Sequence, residues 1–221
     1  TNYPDYEQYT GQVDGEYQQL NAALLQIENE FYGTIRPKRT IHKGERPLTA
    51  LLERGVEYVE VRCLDVNPFL PAGIDTMQSQ FLDLFLLNCL LQPSSPDSLE
   101  ESETLTSNQL TVVERGREPD LTLRRGNQTV LMTDWANELL DGCAQIAKLI
   151  DDEAGGGDEH AFALDCQRKK IEDPECTPSA RILAQMRDQQ IPFYRFAMNA
   201  SLAHSGYYAD HPLRDARLAE F

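Results

Sequence analysis

Glu60 and Arg62 are the residues best placed to do chemistry, two positions apart in the run Gly55-Val56-Glu57-Tyr58-Val59-Glu60-Val61-Arg62-Cys63. Its β-branched and aromatic content predicts a strand over residues 56–66. Alternation then sets Tyr58, Glu60 and Arg62 on one face and Val59, Val61 and Cys63 on the other. A strand that looks buried rarely carries a carboxylate and a guanidinium side by side on one face unless both have partners. On this strand alone, a structural ion pair on a sheet surface is the simpler account. The run Leu25-Gln26-Ile27-Glu28-Asn29-Glu30-Phe31-Tyr32 repeats the pattern, with Glu28 and Glu30 on one face beside Tyr32. Two such strands suggest a polar cavity built on a sheet. Carboxylates there would hold Mg²⁺, and Arg or Lys would neutralise phosphate oxygens. Glu60 is the first candidate metal ligand, with Glu28 and Glu30 behind it, because those two could equally pair with the basic stretch Arg36-Pro37-Lys38-Arg39. Arg36, Lys38 and Arg39 could steer nucleotide phosphates or form a solvated basic turn.

These residues need elements to position them. Residues 1–20 are polar and Tyr-rich, consistent with loop and a short helix. A short helix is predicted over 47–54, with Pro47 in its first turn and Gly55 as its stop. Residues 76–92 are apolar nearly all round and predict a buried helix. Residues 93–103 read as an exposed loop, 110–117 as helical and 121–123 as extended. A long helix is predicted over 133–153, with Thr133 as N-cap, Trp135 as a core anchor, and Gly155-Gly156-Gly157 as terminator. Helices over 158–172 and 178–190 follow, and the tail from 193 is helical at first and then frayed. The expected class is α+β, not alternating βαβ. Residues 1–75 read as strands that carry the charges, and residues 76–221 as a helical layer covering them.

The chain has 221 residues and a formal net charge of −16, which disfavours a nucleic-acid surface without excluding a nucleotide substrate. The five cysteines are odd in number and lack a C-x-x-C spacing, which favours a reducing cytoplasm over a disulfide framework or zinc site. No signal peptide is visible, and the longest apolar stretch, 81–91, is too short to span a bilayer. Cys63 reads as a buried thiol, His160, His204 and His211 as surface histidines, and His42 as a histidine without a partner. Gly155-Gly156-Gly157 lacks the Lys-Ser/Thr of a phosphate loop. The first residue is Thr1, and residues 1–18 read as the middle of a longer chain.

Three runs together carry a family resemblance: 25–32, Ile35-Arg36-Pro37-Lys38-Arg39, and Gly55 through Asn67-Pro68-Phe69. They closely resemble the proteobacterial glutamate–cysteine ligases. Phe81-Leu82-Asp83-Leu84-Phe85 and Ser179-Ala180-Arg181-Ile182-Leu183 resemble further segments of that family in the same order. The resemblance covers most of the chain and is densest between residues 24 and 90.

The resemblance implies a glutamine synthetase-like fold, whose curved sheet holds ATP, magnesium and glutamate on its concave face. It implies a cytoplasmic ligase that joins the side-chain carboxylate of L-glutamate to the amine of L-cysteine through an acyl phosphate, the first step of glutathione biosynthesis. Glu60 resembles a family magnesium ligand, Arg62 the arginine that meets the transferred phosphoryl group, and Tyr32 a tyrosine lining the cysteine pocket. It also implies that the chain is a C-terminal portion lacking the half that supplies most magnesium ligands, inactive by itself. Two other classes stay open: another carboxylate–amine ligase of the superfamily, and a non-catalytic acidic scaffold in which Glu60 and Arg62 merely pair.

Overall fold

The computed structural model describes residues 4–8, 11–23, 33–94, 96 and 98–212. Chain contacts divide it into two units, residues 1–65 and 66–221. Its secondary structure is α+β: helices dominate, and the strands pair only in antiparallel twos. Among the described residues there are three separate ribbons rather than one continuous sheet.

The first unit begins with a one-turn helix α1 (Pro4–Glu7) and a small hairpin of β1 (Gln12–Val13) and β2 (Glu16–Tyr17). Asp14 and Gly15 both take positive φ, 52° and 85°, as a two-residue hairpin loop requires. The hairpin replaces the loop expected there, and the Asp-Gly pair is its cause. Next, β3 (Ile35–Lys38) pairs antiparallel with β4 (Tyr58–Val61), with α2 (Pro47–Arg54) between them. Pro47 starts α2, and Gly55 at φ 73° ends it, donating to the Leu51 carbonyl, as expected. A cross-braced turn joins α2 to the ribbon. Arg54 pairs with Glu45 (2.9 Å) and donates to the Thr40 carbonyl (2.9 Å), while Arg39 donates to the Arg54 carbonyl (2.9 Å). The hydrogen bonds from Arg54, first among causes, hold the Glu45 carboxyl down at about 2.

The β3–β4 ribbon corrects two expectations. β4 is four residues long, and Val59 and Cys63 are exposed, so Cys63 is not a buried thiol. A two-stranded ribbon has too little surface to bury either of its faces.

The second unit opens on a tight loop. The Asn67 side chain accepts from the Phe69 N–H (3.0 Å), and Gly73, at φ 74°, accepts from the Asn67 N–H (2.8 Å). Asp75 caps α3 (Thr76–Leu91) by accepting from the Gln78 N–H at 2.8 Å. The helix α4 (Leu99–Arg115) starts inside the stretch expected as loop. Ser98 accepts from the Glu101 N–H (3.2 Å), so the run Ser98-Leu99-Glu100-Glu101 is a Ser-x-x-Glu helix start, and its Ser/Glu composition mimicked a loop. β5 (Thr122–Arg125) and β6 (Gln128–Leu131) form a hairpin whose Asn108 neighbour, on α4, exchanges two hydrogen bonds with the backbone of Arg124 (2.6 and 3.0 Å).

β6 runs directly into α5 (Met132–Glu153), so Thr133 lies inside the helix and is not its cap. Trp135 is half-buried beneath the Arg125 guanidinium, 5.3 Å from its ring, and is not among the core residues. α6 (Glu159–Glu172) takes its cap from the preceding helix: the buried Asp151 carboxylate accepts from the N–H groups of His160 (3.2 Å) and Ala161 (3.1 Å) and from His160 Nδ1 (2.7 Å). His160 is therefore a fixed partner rather than a free surface group. A single 3-10 turn (Pro174–Cys176) leads to α7 (Pro178–Gln189), capped by Thr177, and α8 (Phe193–Asp210) follows. His204 contacts the Pro68 carbonyl at 2.8 Å, Phe69 packs edge-on with Phe196, and the Arg181 guanidinium lies over the Phe69 ring at 4.0 Å.

The core of this unit is Leu84, Leu140, Cys143, Ala147 and Leu164, flanked by Phe81, Phe85, Ile146, Ile150 and Ile171. It joins α3, α5 and α6. Gly142 lets α5 approach α3 closely, since a Cβ there would meet the Asn88 Oδ1 at 2.8 Å. Leu84 is fully buried, so Leu84→Ala should cost about 2–5 kcal/mol in denaturant unfolding followed by helical circular dichroism. A loss well under 1 kcal/mol would mean that α3 does not carry the core.

Candidate functional site

The register of β3 and β4 builds the site. Arg36 lies opposite Glu60 and Lys38 opposite Tyr58, and pairing extends one step further, where the Arg62 N–H donates to the Thr34 carbonyl at 2.7 Å. Alternation then gathers Arg36, Lys38, Tyr58, Glu60 and Arg62 on one face, and Ile35, Pro37, Val59 and Val61 on the other. The polar face thus sets one carboxylate among three cations, a local surplus of positive charge in a strongly acidic chain.

Both Glu60 oxygens are engaged. Arg62 Nε donates to Oε1 at 2.9 Å and its Nη2 to Oε2 at 3.3 Å. Lys38 Nζ also meets Oε2, at 2.9 Å. Glu60 therefore pairs diagonally with Lys38 as well as along its own strand with Arg62, a cross-strand geometry within reach of a long side chain. Hydrogen bonds from Lys38 and then Arg62 hold the Glu60 carboxyl down at about 2. Glu60 is ionised throughout the neutral range, and it is neither deeply buried nor fully solvated.

Four of the expected site residues, Arg36, Lys38, Glu60 and Arg62, are thus brought together. Arg39 is not among them: it points into the turn, tied to the Arg54 carbonyl and to Glu57 at 3.6 Å. Tyr32, Glu28 and Glu30 lie outside the described residues. The Lys38–Glu60 contact was not foreseen. The signal for it was present, because Arg36-x-Lys38 and Glu60-x-Arg62 are both period-two pairs separated by a helix that allows antiparallel return.

Among the described residues, no group of three or more His, Cys, Asp or Glu side chains gathers where it could hold a metal ion. Magnesium in nucleotide sites uses one or two carboxylates, with phosphate oxygens and water filling the remaining positions. Glu60 fits that mode as a single ionised donor, provided that Lys38 releases Oε2. Among the described residues, no helix is long and apolar enough to cross a membrane.

The same α+β architecture occurs in a crystal structure of glutamate–cysteine ligase from Francisella tularensis in complex with AMP, with TM-score 0.79 and 34% identity over 99% of this chain and 43% of that one. A bifunctional glutathione synthetase from Pasteurella multocida shares the fold alone, at TM-score 0.58 and 18% identity over 82% of this chain and 22% of that one. The glutamate–cysteine ligase family model matches residues 1–112. Curated glutamate–cysteine ligases of Pseudomonas putida strain KT2440 and Pseudomonas paraeruginosa are 48% and 51% identical over the whole chain. The chain belongs to the glutamate–cysteine ligase family. It spans 42% of the length of those two relatives.

The ion cluster has a defined pH response. A carboxyl held at about 2 against an ordinary 4.5 stabilises the ribbon above pH 4.5, and that contribution is lost as pH falls through about 2. Carbon NMR of the Glu60 carboxyl should show a midpoint near 2. A midpoint near 4.5 would remove the Lys38 and Arg62 contacts.

Proposed function

We propose that a protein of the relatives' full length carrying this chain ligates L-glutamate to L-cysteine at the expense of ATP. The γ-phosphoryl group of ATP passes to the side-chain carboxylate of glutamate and ADP leaves. The cysteine amine then attacks the acyl phosphate, phosphate departs, and a γ-peptide bond remains. The observation that carries this reading is the polar face of β3–β4, a carboxylate set among cations on a chain of the ligase family. The adenine nucleotide in the Francisella complex supports ATP as co-substrate.

On this reading the chain supplies one wall of the site. The planar fork of Arg62 opposes negative charge on the phosphoryl group in transfer, where a preformed donor is most effective. Arg36 and Lys38 hold phosphate oxygens. Glu60 would hold magnesium, which would supply positive charge against the nucleotide phosphates. Tyr32 would line the cysteine pocket, and Glu28 and Glu30 would be further oxygen donors or partners of the basic strand. The exposed apolar residues Val59 and Ile35 suit a ribbon that continues into a larger sheet. Five free cysteines suit a reducing cytoplasm.

One observation favours a second reading. Both Glu60 oxygens already have cationic partners, as a purely structural ion cluster would require. Two variants separate the readings by phosphate release that depends on both glutamate and cysteine. Glu60→Gln should abolish turnover with the fold intact, and Arg62→Lys should lower it roughly ten-fold or more, because lysine keeps the charge but loses the fork. Unchanged turnover with a lower melting temperature in both would favour the structural cluster.

A further inference from the structure

Lys38 and Arg62 hold Glu60 in unlike ways. Arg62 grips it through two nitrogens, at 2.9 and 3.3 Å, from the same face of the same strand. Lys38 reaches across from β3 with one ammonium, 2.9 Å from Oε2, and the two side chains are 33% and 36% exposed. A lysine is a point charge on a flexible four-carbon stem, while an arginine fork is pre-organised for a carboxylate. Of the two contacts, the lysine one is the easier to break. With the ammonium gone, Oε2 would keep only the longer Arg62 Nη2 contact at 3.3 Å, which makes it the oxygen a hard cation could take.

We propose that Lys38 is an exchangeable counter-ion of Glu60: its ammonium occupies Oε2 in the empty site and moves to a phosphate oxygen when a divalent cation takes that carboxylate oxygen. The inference rests on the ligase reading above and names the residue that couples metal to nucleotide. The charges of the cluster dictate the coupling. Arg36, Lys38, Arg62 and Glu60 sum to about +2, so adding a divalent cation alone raises a crowded face to about +4, which is unfavourable. An incoming nucleotide brings the anionic oxygens that relieve this repulsion and give the displaced ammonium a new partner. Metal and nucleotide therefore bind the face together better than either does alone, and the coupling is reciprocal.

The test uses Mn²⁺ as a paramagnetic stand-in for Mg²⁺ in a full-length protein carrying this chain, with free metal counted by electron paramagnetic resonance. Binding is measured with and without a non-hydrolysable ATP analogue. The parent should bind Mn²⁺ weakly alone and much more tightly with the analogue. Lys38→Met should tighten metal binding in the absence of nucleotide by about ten-fold or more, and shrink the tightening due to the analogue by a similar factor. Lys38→Arg, which keeps a cation on Oε2, should not tighten metal binding. Lys43→Met removes the same charge from an exposed position of the same unit and should change neither quantity. Lys38→Met with unchanged or weaker metal binding would overturn the exchange while leaving the ligase reading intact, as would a Lys43→Met effect of equal size. If the folded parent binds no Mn²⁺ with or without the analogue, the ligase reading itself fails, and the exchange with it. A melting curve for each variant establishes that the protein measured is folded.

Discussion

The antiparallel register of β3 against β4 is the constraint on which the site depends. With Arg36 opposite Glu60, the period of two brings Lys38 onto the diagonal and Arg62 onto the same face. A slip of one residue would turn Glu60 and Arg62 to the apolar side and leave Val59 and Val61 facing the cations. The register is defended at both ends. The Arg62 N–H reaches the Thr34 carbonyl at one end, and the Glu57 N–H reaches the Lys38 carbonyl, at 2.9 Å, at the other. Beyond that second end the braced turn through Arg39, Glu45, Arg54 and Glu57 fixes how far the chain travels before it returns. The ion pairs in this turn are thus positioning devices, not large stabilisers, since partly exposed pairs contribute little to stability.

The second unit is held together differently. Its core is the crossing of α3, α5 and α6, and the short side chains Gly142 and Ala147 allow the helices to come close. Asp151, the one buried carboxylate among the described residues, costs desolvation and is compensated by three donors at the start of α6. Desolvation pulls its carboxyl upward, and the bonds from His160 and Ala161 carry it below its ordinary value. A helix that lacks its own capping side chain borrows one from its neighbour, so the α5–α6 angle and the α6 start are set by the same contact.

The long elements were legible because each has a strong period or a strong boundary. α2 between Pro47 and Gly55, the apolar α3, the amphipathic α5, and α7 behind Pro178 all fall within one residue of where periodicity and breakers place them, although Thr133 does not cap α5. What escaped was of two physical kinds. Short hairpins such as 12–17 are made by their turn residues, and the Asp14-Gly15 signal is two residues long, invisible to any count of hydrophobic period. The beginning of α4 was hidden because its capping serine and first-turn glutamates have the composition of a loop. Burial misled for a third reason: Val59 and Cys63 have the side chains of an interior strand, yet burial belongs to whatever packs against a strand and not to the strand itself. At the site, residue types and spacing marked Glu60 and Arg62 as candidates, with Arg36 and Lys38 behind them, and a structural ion pair remained the simpler account. The two period-two pairs, Arg36-x-Lys38 and Glu60-x-Arg62, allow the pairing of Glu60 with Lys38 but do not fix it, because it depends on which strand lies beside which.

The chain as a whole is acidic, and the site face is not. A net charge of −16 repels polyanions at long range, yet that repulsion is screened within about 10 Å at ordinary ionic strength. Within that distance a nucleotide meets the local face, where Arg36, Lys38 and Arg62 outnumber Glu60. The single carboxylate offsets part of the repulsion among three cations gathered on one face of a two-stranded ribbon. In the ribbon Glu60 offsets part of that charge through Lys38 and Arg62. On the exchange we propose, Glu60 would also hold a metal while phosphates took over that neutralisation, so a substrate carrying the replacement charge would let one carboxylate serve both states.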